Sequence, residues 1–359
     1  MNGDPIRSLW SRLAAAGLAP GAMPVPREGH GPWYVRVMLG VAGFIAALFL
    51  IGFVGAAFAA LMKSEAARMV FGLATIAAAC GLFRAAPRSD FGAMFALSVS
   101  FAGQAMLAWA LFDLMRPRFG SAPWVLLAAL EAILALAVPN MIHRVASAYA
   151  AGVAIMFAMA ASGAGALALA VGVLAAAVAA LWLNELRLGR LHDLLAPVGY
   201  GLTLAYIQAE VSSDFGEAML RMMTQRSPEE ASLKPWLGQA LVAATLVVTA
   251  AALLRRAGWI LGATRSVLAL ACVAAIGAAS FKASGVAGGL MIVLLGFANG
   301  NRVLAGAGVA ALLFYISKYY YLLDATLLAK SGVLALTGAA LLAARWLVLN
   351  LVLPKSGDA

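Results

Sequence analysis

Residues 164–183 read AGALALAVGVLAAAVAALWL and carry no charged side chain. An α-helix needs roughly 20 consecutive apolar residues to cross a bilayer, and this stretch supplies them. Gly165 and Gly172 lie within it among many alanines, and such small residues let helix backbones approach closely in lipid. The stretch therefore predicts a transmembrane helix that packs tightly against its neighbours.

The composition of the whole chain extends this prediction beyond that stretch. Hydrophobic residues make up 64% of the 359 residues and charged residues 11%, against about 45–50% and about 25% in soluble domains. A soluble fold could not bury so much apolar surface, so the bilayer must be the solvent for most of the chain. The net charge of +10 comes from basic residues scattered between apolar runs, which favours lipid head groups over nucleic acid as their partner.

Repeating apolar segments predict an all-α, polytopic bundle of about twelve transmembrane helices, within a range of about ten to twelve. The segments cover residues 37–61, 68–83, 91–112, 123–138, 141–161, 164–183, 194–208, 236–254, 263–281, 285–298, 302–317 and 326–349. A Gly-Gln-Ala step recurs at residues 103–105 and 238–240. This repeated step is the basis for the hypothesis that the bundle consists of two related halves.

The segments divide the chain into three regions. Residues 1–34 are predicted to be cytosolic, with an amphipathic helix that starts at Asp4-Pro5 and ends before Pro20, followed by a linker. Residues 35–353 form the transmembrane domain, in which the acidic stretch 208–235 is predicted to be an external loop. Residues 354–359 are a short tail. An excess of Lys and Arg on the side of the N-terminus predicts that both termini are cytoplasmic.

Two polar residues inside apolar segments are candidates for an intramembrane site. Glu131 lies near the middle of its span, and burial of a carboxylate there would favour uptake of a proton or binding of a cation. The alternatives are that Glu131 pairs with an arginine of a neighbouring helix or lies close to the membrane surface. Gln104 is the second candidate, although a hydrogen bond between helices accounts for a buried amide equally well.

A polar, aromatic interruption at residues 317–330 is the second candidate site. Lys318 and Lys330 are positioned to reach the membrane surface from either side of a turn, and the consecutive Tyr319, Tyr320 and Tyr321 are typical of an aromatic belt. Asp324 has the position of an N-cap for the last span. We interpret the segment as a structural corner that doubles as a docking surface for a partner.

The sequence contains no recognisable catalytic, metal or cofactor site. The histidines show no metal-ligand spacing, and Cys80 and Cys272 lie singly in apolar runs, which predicts small buried thiols. Phosphate-binding loops, nucleophile elbows and zinc-protease motifs are all missing from the sequence. No cofactor is therefore predicted, and the sequence favours a protein without enzymatic activity over an enzyme.

Several short motifs resemble those of an uncharacterised bacterial membrane family that is classed as a domain of unknown function. They are residues 10–13 (WSRL), 16–18 (AGL), 32–36 (PWYVR), 288–302 (GGLMIVLLGFANGNR) and 319–331 (YYYLLDATLLAKS). That family occurs beside small membrane-anchored proteins named for a GDYXXLXY motif. The resemblance implies an inner-membrane location and a small membrane-anchored partner, and it implies no activity and no catalytic residues.

These observations lead to two functional hypotheses. The first is an integral inner-membrane protein that acts as the multi-span subunit of a bacterial envelope complex and docks a small membrane-anchored partner. The second is a secondary transporter or proton-coupled carrier that uses Glu131. An intramembrane enzyme acting through Lys318, Asp324 and Lys330 is a third and weaker hypothesis.

Overall fold

The computed structural model describes residues 5–17, 63–85, 90–115, 120–162, 166–185, 189–224 and 236–322, and ten positions between 38 and 56. The described residues contain no strand, which confirms the all-α fold class. Their α-helices are α1 (Pro5–Ala15), α2 (Glu65–Ala85), α3 (Asp90–Leu114), α4 (Ala122–Ala137), α5 (Met141–Ser162), α6 (Ala166–Leu183), α7 (His192–Thr224), α8 (Trp236–Arg256), α9 (Thr264–Ala279), α10 (Val286–Ala298) and α11 (Arg302–Leu322). A short 3-10 helix, Gly189–Leu191, precedes α7.

Six of these helices are long and apolar enough to cross a bilayer, namely α2, α3, α5, α6, α8 and α11. The chain is therefore a multi-pass membrane protein. Three further apolar helices, α4, α9 and α10, have 16, 16 and 13 residues. At about 1.5 Å per residue they are shorter than the roughly 30 Å hydrocarbon core. A bundle of twelve spans is thus not confirmed, and the predicted spans 37–61 and 326–349 lie largely or wholly outside the described residues.

The chain divides into two compact units, residues 1–106 and 107–359. The first unit contains α1, α2 and most of α3. α1 is the helix predicted near the N-terminus, and it ends before Gly17, whose φ of +69° belongs to the left-handed region that glycine tolerates. Its cytosolic location stays a prediction.

The core of the second unit is built around α6, the helix formed by residues 166–183 of the apolar stretch 164–183. α6 packs against α5, α7, α8 and α10, and side chains such as Leu174, Val178 and Trp182 are at most 2% exposed. At Gly172 an added Cβ would lie 2.7 Å from the Cβ of Leu241 on α8. The absence of a side chain there is what allows α6 and α8 to approach each other.

α7 differs from the predicted span that ends near residue 208. It runs unbroken to residue 224 although Pro197 lies inside it. A proline cannot donate a hydrogen bond to the carbonyl four residues earlier. That carbonyl belongs to Asp193, and the Arg144 Nη1 on α5 donates to it at 2.9 Å. The first half of the predicted acidic loop is therefore helical, residues 225–235 lie outside the described part, and the external location of the segment stays a prediction.

The two Gly-Gln-Ala steps occupy different places in their helices. Gly103 lies in the middle of α3, whereas Gly238 is the third residue of α8. Both glycines are contact points, because added Cβ atoms would collide with the carbonyl oxygens of Gly72 and Ala168. The repeated step therefore marks close helix packing within each unit, and it gives no support to two related halves.

Candidate functional site

Glu131 lies in the middle of α4 and is 2% exposed. α4 packs along α5, and the buried side chain of Ser147 on α5 faces the Glu131 carboxyl group. The carboxyl oxygen Oε2 is buried and has no hydrogen-bond partner among the described residues. Within that part of the chain no ion pair joins Glu131 to a Lys, Arg or His. The alternative of a buried arginine partner therefore has no support from the described residues.

Ser147 also contacts an imidazole, which creates the Glu131 cluster of Glu131, Ser147 and His143. The distance from Ser147 Oγ to His143 Nδ1 is 3.4 Å, and both side chains are fully buried. The two residues are four apart on α5 and so share one helix face. His143 is fixed near the start of α5, where its backbone N–H donates to Asn140 Oδ1 at 3.0 Å.

The order of groups in the Glu131 cluster is carboxyl, hydroxyl, imidazole. In a serine hydrolase the imidazole lies between the hydroxyl and the carboxylate, because it must take the proton of the nucleophile. In the Glu131 cluster the hydroxyl is in the middle position. The arrangement therefore lacks the carboxylate–imidazole contact of that triad, and its central hydroxyl group is placed to pass a proton between the two ends.

Gln104 lies on α3 in the first unit, whereas the Glu131 cluster belongs to the second unit. It is 7% exposed, and its Nε2 donates to Ser100 Oγ at 3.1 Å one turn earlier on the same helix. The neighbouring Gly103 faces α2, where an added Cβ would lie 2.8 Å from the Cγ1 of Ile76. A buried amide that bonds within its own helix, next to a tight helix contact, is explained by packing.

A second buried carboxyl group, Glu210 on α7, was missed by the sequence analysis. Glu210 is 0% exposed. Its Oε1 accepts a hydrogen bond from Gln239 Nε2 of α8 at 2.7 Å, and its Oε2 accepts one from the Tyr206 hydroxyl at 3.2 Å. An ionised carboxylate accepts at both oxygens, so this Glu210 cluster of Glu210, Tyr206 and Gln239 fits the charged form.

Glycines at the start of α10 shape the surroundings of the Glu210 cluster. An added Cβ at Gly288 would overlap the Tyr206 hydroxyl, and one at Gly285 would lie 2.5 Å from the ring of Tyr315. Tyr315 on α11 is 1% exposed, and its hydroxyl donates to the carbonyl oxygen of Ile207 at 3.2 Å. The polar groups of α7 are thus enclosed by α8, α10 and α11.

A helical pattern in the sequence could have revealed Glu210. Ala205, Tyr206, Ala209 and Glu210 recur with the spacing of one helix face, and all four are 0% exposed. The acidic residues that follow in the sequence indicate a loop. The apolar helix face that continues through residue 209 indicates a longer helix, and it is a stronger signal than the acidic residues.

The predicted docking residues lie at the end of α11 as far as the structure describes them. α11 continues to Leu322, so Lys318, Tyr319, Tyr320 and Tyr321 are helical rather than part of a turn. Tyr321 is 81% exposed and Tyr319 37%, whereas Lys318 and Tyr320 are partly buried. Asp324 and Lys330 lie outside the described residues, so the predicted N-cap is untested.

Neither a metal site nor a disulfide emerges from the described residues. They contain no group of three or more His, Cys, Asp or Glu that could hold a metal ion. Cys80 and Cys272 are both free thiols. Cys80 is partly buried, but Cys272 is exposed on α9, so the expectation of two buried thiols was wrong for Cys272.

Comparison with known proteins gives a family and no activity. The family model described as a domain of unknown function (DUF4401) matches residues 32–351, which is most of the chain. No curated protein matches the sequence. No solved structure matches the fold.

Proposed function

Because the chain belongs to the DUF4401 family, whose function is unknown, we propose an activity from its own buried polar residues: a membrane carrier that couples solute movement to protonation. The observation that carries the proposal is a pair of carboxyl groups, Glu131 and Glu210, which are 2% and 0% exposed within one unit. Ionisable side chains inside membrane-spanning bundles are costly, and they mark ion paths and proton relays.

The partners of the two carboxyl groups support reversible protonation. A neutral hydroxyl group, that of Ser147, faces Glu131, and Tyr206 and Gln239 bind Glu210 through a neutral hydroxyl and a neutral amide group. Loss of the carboxylate charge in such a site does not strand a buried cation, whereas it would in a buried salt bridge. A change in protonation of either carboxyl group therefore unpairs no opposite charge among these three side chains.

Protonation of Glu210 would also change the contact between α7 and α8. A protonated carboxyl group donates at one oxygen, so the amide of Gln239 would have to turn and present its oxygen. Gln239 Oε1 is buried and has no hydrogen-bond partner among the described residues, so it is able to accept. The α7–α8 contact thus has two hydrogen-bond arrangements, and a carrier needs such a two-state element.

Uptake into proteoliposomes tests the proposal for many solutes at once. A mixture of small metabolites is presented outside, and mass spectrometry compares the contents with and without an inward proton gradient. We expect at least one solute to accumulate only with the gradient, and to do so poorly in Glu131→Gln and Glu210→Gln. Glu185→Gln is the matched control, because Glu185 pairs with the half-exposed His192 at 3.5 Å. Equal contents with and without the gradient would reject the carrier.

A second candidate function is favoured by the end of α11. Here the chain is the multi-span subunit of a bacterial inner-membrane complex, with cytoplasmic termini and a small membrane-anchored partner docked beside Tyr319 and Tyr321. The exposed fraction of 81% at Tyr321 supports this proposal, since aromatic residues are enriched at binding surfaces. The same side chains would also suit an interfacial aromatic belt.

Photo-crosslinking separates docking from a lipid belt. A photoreactive amino acid replaces Tyr321 in one variant and Val303 in another, because Val303 is 68% exposed at the opposite end of the same helix. A docked partner predicts one discrete small membrane protein attached at position 321 and none at position 303. Labelling by lipid alone at both positions would contradict the docking proposal.

A further inference from the structure

We propose that Ser147 relays protons between the imidazole of His143 and the carboxyl group of Glu131. This inference rests on the proposed proton coupling, and it adds the route by which a proton reaches one of the two buried carboxyl groups. It is carried by geometry: Ser147 Oγ lies 3.4 Å from His143 Nδ1, and Ser147 faces the buried Glu131 carboxyl group where α5 packs along α4.

A hydroxyl group between two such neighbours is able to donate its single proton to either of them. In the first arrangement, Ser147 donates to ionised Glu131 and accepts from a proton on His143 Nδ1. In the second, protonated Glu131 donates to Ser147, which donates to an unprotonated Nδ1, while His143 carries its proton on Nε2. Both arrangements satisfy the same two contacts, so no side chain has to change its position.

The change between the two arrangements is a balanced proton transfer. A proton binds to His143 Nε2 in the first arrangement, the Nδ1 proton moves to Ser147 Oγ, and the original hydroxyl proton moves to Glu131. The product is the second arrangement, which holds one more proton than the first. The reverse sequence releases that proton from Nε2, and the only co-reactant is the solvent, which supplies the proton as hydronium and accepts it as water.

The position of the cluster gives the relay a direction along α5. His143 is the third residue of α5, and Ser147 lies one turn further along it, about 6 Å at 1.5 Å per residue. The relay therefore begins near a helix end and reaches inward to Glu131 in the middle of α4. His143, Ser147 and Glu131 are at most 2% exposed, so a chain of side chains replaces direct contact with bulk water.

Other ionisable groups on the packed helices have separate contacts or positions. α4 and α6 add none, and α5 adds Arg144 and Tyr149. Arg144 Nη1 donates to the carbonyl oxygen of Asp193 at the start of α7. Gly201 of α7 contacts residues 145–149 of α5. Tyr200, the residue before it, bonds to Asn301 in the turn between α10 and α11. None of these contacts involves Ser147.

Two spectroscopic signals from the full-length protein in lipid nanodiscs test the relay. The ¹⁵N shifts of labelled histidines report which ring nitrogen of His143 carries the proton, with the signal assigned by its loss in His143→Gln. The infrared carbonyl stretch of the protonated carboxyl group reports Glu131, assigned by its loss in Glu131→Gln. Both are followed while the pH is lowered.

The relay predicts that the two signals change together. In the native protein, His143 should switch from Nδ1–H to Nε2–H over the pH range in which Glu131 takes up its proton. Ser147→Thr keeps a hydroxyl and should keep the switch. In Ser147→Ala, Glu131 should still become protonated, His143 should no longer switch, and deuterium exchange into Glu131 should slow roughly a hundredfold, at the low end of what a positioned proton donor contributes.

Ser266→Ala is the matched control, because Ser266 is also 0% exposed and lies on α9, outside the cluster; it should behave like the native protein. A His143 ring that does not switch while Glu131 becomes protonated in the native protein would overturn the relay, even if Ser147→Ala failed to fold. A Ser147→Ala protein that keeps the switch would also overturn it. If Glu131 becomes protonated but the His143 ring does not switch, the relay is rejected and the carrier proposal stands. If the ring switches but no solute uptake depends on the proton gradient, only the carrier proposal is rejected.

Discussion

Replacement of Gly285 by alanine should destabilise the second unit far more than the same change at other glycines with positive φ. Gly285 precedes α10 with φ +89°, and an added Cβ would lie 2.5–2.6 Å from three ring carbons of Tyr315. Ordinary contacts lie at 3.4–4 Å, so the ring and the backbone would have to separate by about 1 Å in a close-packed interior. Such a shift would also break the hydrogen bond from Tyr315 to the Ile207 carbonyl oxygen.

The magnitude follows from three contributions. A left-handed conformation costs a residue with a Cβ about 1–2 kcal/mol. Overpacking against the ring adds about 1–3 kcal/mol, and the lost hydrogen bond adds about 1 kcal/mol. Gly258 has φ +77° and nothing within 4 Å of an added Cβ, so Gly258→Ala carries only the first contribution. Gly285→Ala should therefore lower the free energy of unfolding by about 2–4 kcal/mol more than Gly258→Ala.

The assay is reversible unfolding by SDS titration in mixed micelles, with helix content as the signal. Gly285→Ala is also made in a Tyr315→Leu background, where the ring is gone and the excess over Gly258→Ala should largely vanish. Equal losses in Gly285→Ala and Gly258→Ala would refute the close contact with the ring. An excess that persists without the ring would show that the cost arises elsewhere.

Three further predictions use the same measurement. Tyr206→Phe removes a hydroxyl that donates to a buried carboxylate and should lower the free energy of unfolding by about 1.5–3 kcal/mol. Tyr149→Phe removes a hydroxyl that makes no such contact and should have little effect. Equal losses in the two variants would argue against the charged form of Glu210. Asn301→Ala removes both the cap of α11 and a bond between helices, and should cost roughly 2 kcal/mol; a negligible loss would contradict both roles. Gly238→Ala places a methyl group against a backbone carbonyl of α6 and should be strongly destabilising. At Gly262 an added Cβ has nothing within 4 Å, so Gly262→Ala should be near neutral. Similar stability of the two variants would argue against the tight α6–α8 contact.

The two carboxyl groups illustrate how far the sequence reached into the candidate site. Glu131 stands alone in an apolar run, so its burial in α4 could be predicted from sequence. Its neighbour Ser147 could not, because Ser147 is an ordinary residue of α5 until the rotation of that helix about its axis turns it toward α4. Glu210 was missed for a different reason: nearby acidic residues indicated a solvent-exposed loop, but α7 continues past them and turns Glu210 inward.

Helix ends were predicted less well than helix existence. α7 and α11 both extend beyond the predicted boundaries, by sixteen and five residues. In α7 the unfavourable element is Pro197, and its effect is compensated by Arg144, which lies 49 residues from the carbonyl group that it binds. Local sequence patterns reveal the proline but not the distant donor.

The sequence by itself determined that this protein is helical and lies in a membrane. Both conclusions depend on local quantities: an apolar run sets the solvent, and in lipid a helix satisfies its backbone hydrogen bonds within one segment. Only the tertiary structure decided which polar groups meet, such as Gln239 with Glu210 and Asn301 with Tyr200, the latter 101 residues apart. The physical reason is that these pairs depend on how each helix is rotated and how closely it approaches its neighbours. Gly172, Gly238 and Gly288 set that approach through contacts between helices that no single segment contains.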